Sequence, residues 1–259
     1  MASGIVVAYA GETDVPMQIR MTTLMLSREI TTKIAFVLDE LIPPLLRDSK
    51  WVMWVPFKLL FGSKATEFFR FKEHAFDMSF DQFKNTYESL ESVHIQRDTD
   101  LNLACTSAIL QNIEGGNVLE VGCGRAYLAR KMNEQVRVVA CDMVISNEMR
   151  TDNPEIDFRE ANIEDLPFTD SEFDTVVSTH TLEHVLKIDR AISELRRVAK
   201  KRLIIVVPKQ RPYKYTFDLH IHFFPYKWSL LAHTQQSERT RSHSLKLIEG
   251  DWYYQEEIG

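Results

Sequence analysis

The sequence of 259 residues contains only three cysteines and no apolar run long enough to cross a membrane. Cys105, Cys123 and Cys141 are an odd number without paired spacing, which argues against a disulfide scaffold and leads us to expect reduced thiols in the cytoplasm. The apolar N-terminal segment is short and no basic residue precedes it, so we expect no signal peptide. A transmembrane helix needs about 20 apolar residues, and the aromatic stretch 51–62 is too short.

An excess of basic residues is also absent. The formal net charge is −6 and the isoelectric point is about 5.8, so the overall charge indicates neither a nucleic-acid partner nor a strongly anionic one. With 44% apolar residues, the chain is long enough for one α/β domain and an added helical subdomain. We expect residues 1–98 to form an N-terminal helical lid or substrate subdomain and residues 99–259 to form the α/β domain.

The central motif is a short apolar run that breaks into a glycine turn. Asn117 to Val121 predicts a strand, Gly122 and Gly124 predict a turn, and a helix follows from about Ala126. Glycine permits positive φ and lets the backbone approach a ligand closely. By itself the pattern also occurs in NAD-binding enzymes and by chance, and the third small position of the turn is Ala126 rather than glycine.

Further strands follow the turn. Apolar runs predict strands at 136–142, 156–159, 173–178 and 202–208. Asp142 ends the first of these, at the position where nucleotide-binding βαβ units place a carboxylate on ribose hydroxyls. Since strands and helices alternate, we expect a mostly parallel sheet with right-handed crossovers.

This succession resembles the class I S-adenosylmethionine-dependent methyltransferases, in particular the type 11-like subgroup whose fourth strand runs into Leu-Glu-His-Val, here Leu182 to Val185. The resemblance covers residues 99–208. It implies a Rossmann-like, mostly parallel seven-stranded sheet that ends in an antiparallel hairpin, for which residues 244–248 and 252–255 would supply the strands. It also implies S-adenosylmethionine as the cofactor.

The resemblance assigns roles to the cofactor-binding residues. Glu120 would hold the methionine amino group, the glycine turn would pass under the methionine and ribose, and Asp142 would accept from the ribose hydroxyls. Asn162, where the family usually has Asp, would bind the adenine amine, and the Ile163 N–H would reach a ring nitrogen. The full predicted set is Glu120, Gly122, Cys123, Gly124, Asp142, Met143, Asn162 and Ile163.

The stretch from His180 to His184, which includes Glu183, adds metal-ligand chemistry. If it begins a helix, positions i, i+3 and i+4 share a face, so two imidazoles and a carboxylate point the same way. The pattern is similar to the Glu-x-x-Glu-His set with which ubiquinone-pathway O-methyltransferases and small-RNA 2′-O-methyltransferases hold a divalent cation. Because His180 replaces the first Glu of that set, we expect Zn, Fe, Mn or Co rather than Mg.

Two further histidines, His220 and His222, follow the fifth strand. Segments after the fourth and fifth strands of such a sheet meet at its carboxyl edge, so one of the two is a candidate ligand, and we favour His222. The predicted metal set is therefore His180, Glu183, His184 and one of these two. In the metal-free alternative, His180 and His184 are the catalytic candidates, and we expect His180 to act as the general base.

The N-terminal region predicts helices. Residues 17–46 have apolar positions at the three-and-four spacing of one buried face, and Pro43-Pro44 is expected to end that helix. Further helices are predicted from about Ser79 and over residues 101–113.

The aromatic stretch 51–62 stands between these helices, edged by Lys50, Lys58 and Lys64. We interpret it as a lid over the substrate pocket. The alternative is an interfacial anchor, over residues 51–64, that makes peripheral membrane contact and brings the enzyme to a lipid-linked acceptor.

The predicted function is methylation of a hydroxyl on a small metabolite, sugar or glycan. Lys209, Arg211 and Lys214, interleaved with Tyr213 and Tyr215, are suited to a phosphate on the acceptor. One alternative is an RNA ribose 2′-O-methyltransferase, although the acidic chain and the lack of an RNA-binding module argue against nucleic acid. The other is a non-catalytic nucleotide-fold binding protein, against which the intact glycine turn argues.

Overall fold

The structure, a computed structural model, describes residue 37 and residues 41–91, 98–215, 218–235 and 237–259. The helix predicted over residues 17–46 lies almost entirely outside these residues. The helices described are α1 (Pro44–Arg47), α2 (Lys50–Phe61), α3 (Ala65–His74), α4 (Phe80–Glu91), α5 (Leu103–Asn112), α6 (Tyr127–Asn133), α7 (Asn147–Asp152), α8 (Ile188–Val198) and α9 (Lys227–Leu231).

A seven-stranded sheet forms the centre of the fold. Its strands are β1 (Asn117–Val121), β2 (Arg137–Asp142), β3 (Asp157–Glu160), β4 (Phe173–Thr179), β5 (Ala199–Pro208), β6 (Thr240–Ile248) and β7 (Asp251–Ile258). They lie in the order β3-β2-β1-β4-β5-β7-β6. The first five pair in parallel, whereas β7 is antiparallel to both β5 and β6. The predicted Rossmann-like sheet with a terminal antiparallel hairpin is confirmed.

Alternate residues of the strands face two separate cores. Leu119 and Val121 of β1 pack on one side with α8, whose Ile192 is buried there. Val118 packs on the other side with α5, which contributes Ile109. Strands buried on both faces read as continuous apolar runs, which is why they could be predicted from the sequence.

The hairpin turn places one polar residue at the carboxyl edge of the sheet. Glu249 and Gly250 both have positive φ, at 45° and 94°, as the tight two-residue turns of β-hairpins require. The strand that follows begins with Asp251, which pairs with Pro208 at the carboxyl end of β5. Asp251 therefore lies where the parallel strands end.

The N-terminal helices pack around an aromatic cluster. Phe57 of α2 lies edge-on to Phe69 of α3, and the Phe69 ring stacks on Tyr215 of the segment after β5. Pro44 is the first residue of α1, where proline is well tolerated. The helix that we expected Pro43-Pro44 to end lies almost entirely outside the described residues, so that expectation stays a prediction. None of the described helices is long and apolar enough to cross a membrane.

Candidate functional site

The glycine turn after β1 lies where the strand order reverses, between β1 and β4. Ligands of open α/β sheets bind outside the carboxyl ends of the strands at such a point. Gly122 has a φ of 77°, and a Cβ built on it would lie 2.0 Å from Oγ1 of Thr181. Glycine is therefore required at position 122 both for its backbone conformation and for space.

Asp142 ends β2 beside this turn and is held by backbone N–H groups. Gly124 donates to its Oδ2 at 2.8 Å, and Met143 donates to its Oδ1 at 2.7 Å. Burial raises the pKa of Asp142, and these two N–H groups oppose that shift. Since each carboxylate oxygen can accept a second hydrogen bond, Asp142 is fixed in place and still able to receive hydroxyl donors. The buried Cys123 is also fixed, because its N–H donates to the Cys141 carbonyl at 3.1 Å.

Glu120 is a buried carboxyl without a complete set of partners. It lies in β1, and its Oε2 has no hydrogen-bond partner among the described residues. Burial, and then the charge of Asp142, raise its pKa well above the usual range. An unpaired buried polar atom is costly, so its presence beside the glycine turn favours a cationic ligand group there.

Asn162 and Ile163 follow β3 at the same edge of the sheet. The Asn162 side-chain oxygen accepts the Glu164 N–H at 2.9 Å, which leaves one further lone pair for a ligand amine. Ile163 is buried in the core. The predicted cofactor residues thus lie along the carboxyl ends of β1, β2 and β3, and their binding roles stay predictions.

The segment after β4 differs from the predicted helix. His180 has a φ of 50°, a left-handed conformation that is rare for a residue with a side chain and is often found at functional sites. Leu182–His184 form a single 3₁₀ turn, after which Val185 is extended. The argument that three side chains share one α-helical face is therefore wrong.

A second segment brings side chains to this turn instead. The Glu183 carbonyl accepts the N–H groups of Ile221, at 2.8 Å, and His222, at 3.0 Å. These bonds hold the chain after β5 against the 3₁₀ turn. His220 consequently lies beside the turn, whereas Nε2 of His222 is 2.8 Å from the Val185 carbonyl.

Glu183, His184 and His220 form the candidate metal site. One ligand atom from each lies within 4.8 Å of the others, and the two imidazole centroids are 4.7 Å apart. Glu183 is completely buried, and neither of its carboxylate oxygens accepts a hydrogen bond from the residues that the structure describes. Two imidazoles and an unsatisfied carboxylate fit a divalent cation. Our preference for His222 over His220 is not supported by this geometry, because His222 is held by Val185.

Both imidazoles of this group are oriented by groups behind them. Nδ1 of His184 lies 3.3 Å from the Leu219 carbonyl. Nδ1 of His220 contacts the Gln210 side-chain oxygen and lies 3.4 Å from Asp218 Oδ2. Metal-binding histidines commonly donate their second N–H to such acceptors, which turns the other nitrogen toward the cation. Sequence reasoning missed Gln210 and Asp218, although polar residues close to a candidate histidine were a usable signal.

His180 lies outside the metal group and between two carboxylates. Its Nδ1 is 3.5 Å from Glu183 Oε1, and its Nε2 is 3.5 Å from Asp251 Oδ2. Burial lowers the pKa of His180, but the two carboxylates together raise it more, to about 9. The imidazole is therefore protonated at neutral pH, which argues against the role of general base that we expected for it.

His184 has the opposite electrostatic environment. Burial, and then the neighbouring His220, lower its pKa to about 4. Its imidazole is neutral at neutral pH and has a lone pair for either a proton or a cation. Of the two histidines predicted to be catalytic, His184 is the one in the state that the chemistry needs.

The N-terminal helices cover this part of the site. The Tyr87 ring of α4 lies edge-on to His184, with a centroid distance of 5.6 Å. Lys72 of α3 donates to the Tyr213 carbonyl at 2.7 Å, and its ammonium lies 4.1 Å from the centre of the Phe223 ring. The segment that carries His220 is therefore enclosed between the sheet and the N-terminal helices.

The residues that match known proteins lie in the central part of the sheet. Residues 119–207, about a third of the chain, match the family described as the methyltransferase domain. A protein of Mycolicibacterium smegmatis named a probable S-adenosylmethionine-dependent methyltransferase is 31% identical over 107 residues, which cover 40% of this chain and 41% of that protein. These matches support S-adenosylmethionine as the cofactor of this fold.

Two other proteins are similar to parts of this chain. The mitochondrial arginine-hydroxylase NDUFAF5 of Rattus norvegicus is 33% identical over 87 residues, which cover 32% of this chain and 25% of that protein. The solved structure of protein PH0226 from Pyrococcus horikoshii is 15% identical with a TM-score of 0.49, covering 71% of this chain and 94% of that one. The chain thus spans from a quarter to about two-fifths of the length of these curated relatives.

Proposed function

We propose that this protein is an S-adenosylmethionine-dependent methyltransferase that methylates a hydroxyl oxygen of a small molecule, sugar or glycan. The observation that carries the proposal is the buried, incompletely paired Glu120 beside the glycine turn and the fixed Asp142, within a segment that matches the methyltransferase domain family. A buried carboxyl and a carboxylate able to receive hydroxyls are what an ammonium and a ribose need.

The residues of the turn bind and orient the donor. Glu120 receives the ammonium of the methionine part, which satisfies the open Oε2. Asp142, already fixed by two N–H groups, receives the ribose hydroxyls. The bound donor supplies a methyl group on a positively charged sulfur. Rate acceleration in such a reaction comes mainly from holding donor and acceptor in line, and the rigid turn provides that positioning.

The acceptor oxygen must lose its proton when it receives the methyl group. His184 is neutral at neutral pH, and since Nδ1 lies next to the Leu219 carbonyl, Nε2 is the nitrogen that can take the proton. His180 remains charged between Glu183 and Asp251 and stabilises the Glu183 carboxylate. In this arrangement His184 is the base and His180 is a positioning residue.

Glu183, His184 and His220 are also suited to hold a divalent cation. Within the described part of the chain, the side chain of the buried Glu183 accepts no hydrogen bond, and both imidazoles have their Nδ1 next to an acceptor behind them. Two nitrogens and one oxygen favour Zn, Fe, Mn or Co over Mg. A cation bound there would lower the pKa of a hydroxyl that contacts it. In this alternative mechanism, His184 binds the cation instead of accepting the proton.

The experiment that tests the proposal measures donor binding before any acceptor is known. Isothermal titration with S-adenosylmethionine and with S-adenosylhomocysteine should show one site per chain, and the donor's labelled methyl group should appear in sugar or glycan acceptors supplied as a panel. Absence of donor binding by the folded protein would overturn the assignment. If the donor binds but its methyl group is transferred only to amines, the methyltransferase assignment would stand and only the proposed oxygen acceptor would be wrong.

A further inference from the structure

Helix α2 has two apolar faces, of which only one is buried. Met53, Phe57 and Phe61 point into the aromatic cluster of the N-terminal helices. Trp51, Val55 and Leu59, spaced four residues apart on another side of the helix, are 88%, 58% and 80% exposed. The α2 outer face is defined here by these three residues. A globular protein ordinarily places polar residues on such a face.

Other exposed apolar residues lie close to the α2 outer face in sequence. Leu45 and Leu46 of α1 precede it, and Val52 follows Trp51 in α2. Exposed apolar residues grouped in this way favour an interaction site, and a tryptophan exposed to water at 88% is especially costly.

The charges on α2 indicate the kind of partner. This helix carries two exposed lysines, Lys50 and Lys58, and no acidic residue. Its side chains therefore contribute a charge of +2 in a chain whose net charge is −6. The surface is basic and apolar together, which complements anionic headgroups over an acyl layer.

The length of α2 is consistent with a helix that lies on a membrane. Its 12 residues extend about 18 Å at the usual rise per residue, which is too short to cross the apolar layer. Tryptophan prefers the headgroup level, and lysines at the ends of such helices reach toward phosphates. We propose that the α2 outer face docks onto an anionic membrane surface, with Trp51 and Leu59 in the interface.

The same helices are attached to the candidate site. Arg47 of α1 donates to the Pro212 carbonyl at 3.2 Å, and the Lys214 backbone N–H donates to Asp48 Oδ1 at 2.8 Å. Pro212 and Lys214 both lie in the segment that leads to His220. Membrane binding would therefore hold this segment near the bilayer. If the proposed methyltransferase function is right, an acceptor anchored in the membrane is the class of substrate that fits, and this consequence rests on that function.

The test uses the full chain and vesicles of phosphatidylcholine, with or without phosphatidylglycerol. The wild type should co-sediment with the anionic vesicles only, and salt should weaken the binding. The triple variant Trp51→Ser, Val55→Ser, Leu59→Ser should bind about tenfold more weakly or worse. The matched control is Trp228→Ser, which removes another exposed tryptophan, 67% exposed on α9, and should bind like the wild type.

Three results would overturn the docking proposal. One is a wild type that stays in the supernatant with anionic vesicles at low salt, and another is equal loss of binding in the Trp228 control. The third is a wild-type dimer in size-exclusion chromatography that the triple variant converts to a monomer without any vesicle binding, which would assign the face to a second copy of the chain. Titration of the triple variant with S-adenosylmethionine reports on the proposed function separately, since α2 lies outside the cofactor residues.

Discussion

Gly122 and Thr181 are in closer contact than any other residue at position 122 would permit. A Cβ on Gly122 would lie 2.0 Å from Thr181 Oγ1 and 2.6 Å from its Cγ2. The turn after β1 and the segment after β4 therefore interlock at the point where the strand order reverses. Thr181 directly precedes the 3₁₀ turn of Glu183 and His184. This contact therefore links the cofactor residues to the histidine cluster, which consists of His180, His184 and His220.

The contact predicts different costs for alanine at the two glycines of the turn. Gly122→Ala should lower the free energy of unfolding by about 2–5 kcal/mol, because a left-handed alanine and an overpacked contact add. Gly124→Ala is the control: its φ of 49° carries strain, but no atom of the described residues lies within 4 Å of the added Cβ, so about 1–2 kcal/mol is expected.

Denaturant unfolding would measure these costs. Adding Thr181→Ala to Gly122→Ala should recover part of the loss, since it removes the two nearest atoms. Equal effects of the two glycine substitutions would show that Thr181 does not occupy this space.

A second prediction concerns Asp142. Replacing it with alanine should weaken S-adenosylmethionine binding by about 1.5–3 kcal/mol, the range for hydrogen bonds to a charged group. Asp157→Ala is a matched control, because Asp157 lies on the exposed part of β3 and pairs with Arg159 at 2.8 Å. Calorimetric affinities that are equal in all three proteins would count against the assignment of the ribose site.

The strands and the glycine turn could be predicted because their signals are local. Buried parallel strands read as apolar runs, and the turn between Val121 and Tyr127 requires glycine at 122 for its own backbone. The position of Asp142 could be predicted for the same reason, because this residue ends the strand that follows the turn. The roles of these residues in binding stay predictions, but their positions follow from short stretches of sequence.

The histidine cluster could not be predicted in this way. Whether His220 or His222 meets Glu183 depends on hydrogen bonds between residues far apart in sequence, which no local pattern shows. Asp251 reaches His180 only because β7 pairs antiparallel with β5. The spacing within the His180 to His184 stretch pointed to a helix, but the extended Val185 limits it to a single 3₁₀ turn.

A third prediction follows from the buried Lys72. Burial lowers its pKa from 10.5 to about 8, so between these values the unfolded chain binds a proton that the folded chain has lost. The free energy of unfolding should therefore rise with pH across this window, by no more than about 3 kcal/mol from this group. Below pH 8 the cost of the buried charge is fully present.

Comparison with Lys72→Met isolates this contribution. The difference in unfolding free energy between wild type and variant should change in favour of the wild type from about pH 8 to 10.5 and stay constant at lower pH. A difference that does not vary with pH would mean that the Lys72 ammonium is solvated rather than buried.

The last prediction separates the two mechanisms at the histidine cluster. If Glu183, His184 and His220 hold a cation, the protein dialysed against chelator should bind one Co²⁺ per chain, with the visible absorption of a nitrogen-containing site. His184→Ala and His220→Ala should each lose this binding, because each removes one of three donors. His222→Ala is the control: its ring contacts the Val185 carbonyl, so it should bind Co²⁺ like the wild type.

Turnover in chelator completes the comparison. In the metal case it should stop while S-adenosylmethionine binding is unchanged, and added Mn, Co, Fe or Zn should restore it. The metal proposal would be wrong if the purified protein contains no metal, stays active in chelator and shows no Co²⁺ absorption. His184→Ala should then still abolish turnover, because the neutral imidazole of His184 would be the base that takes the acceptor proton.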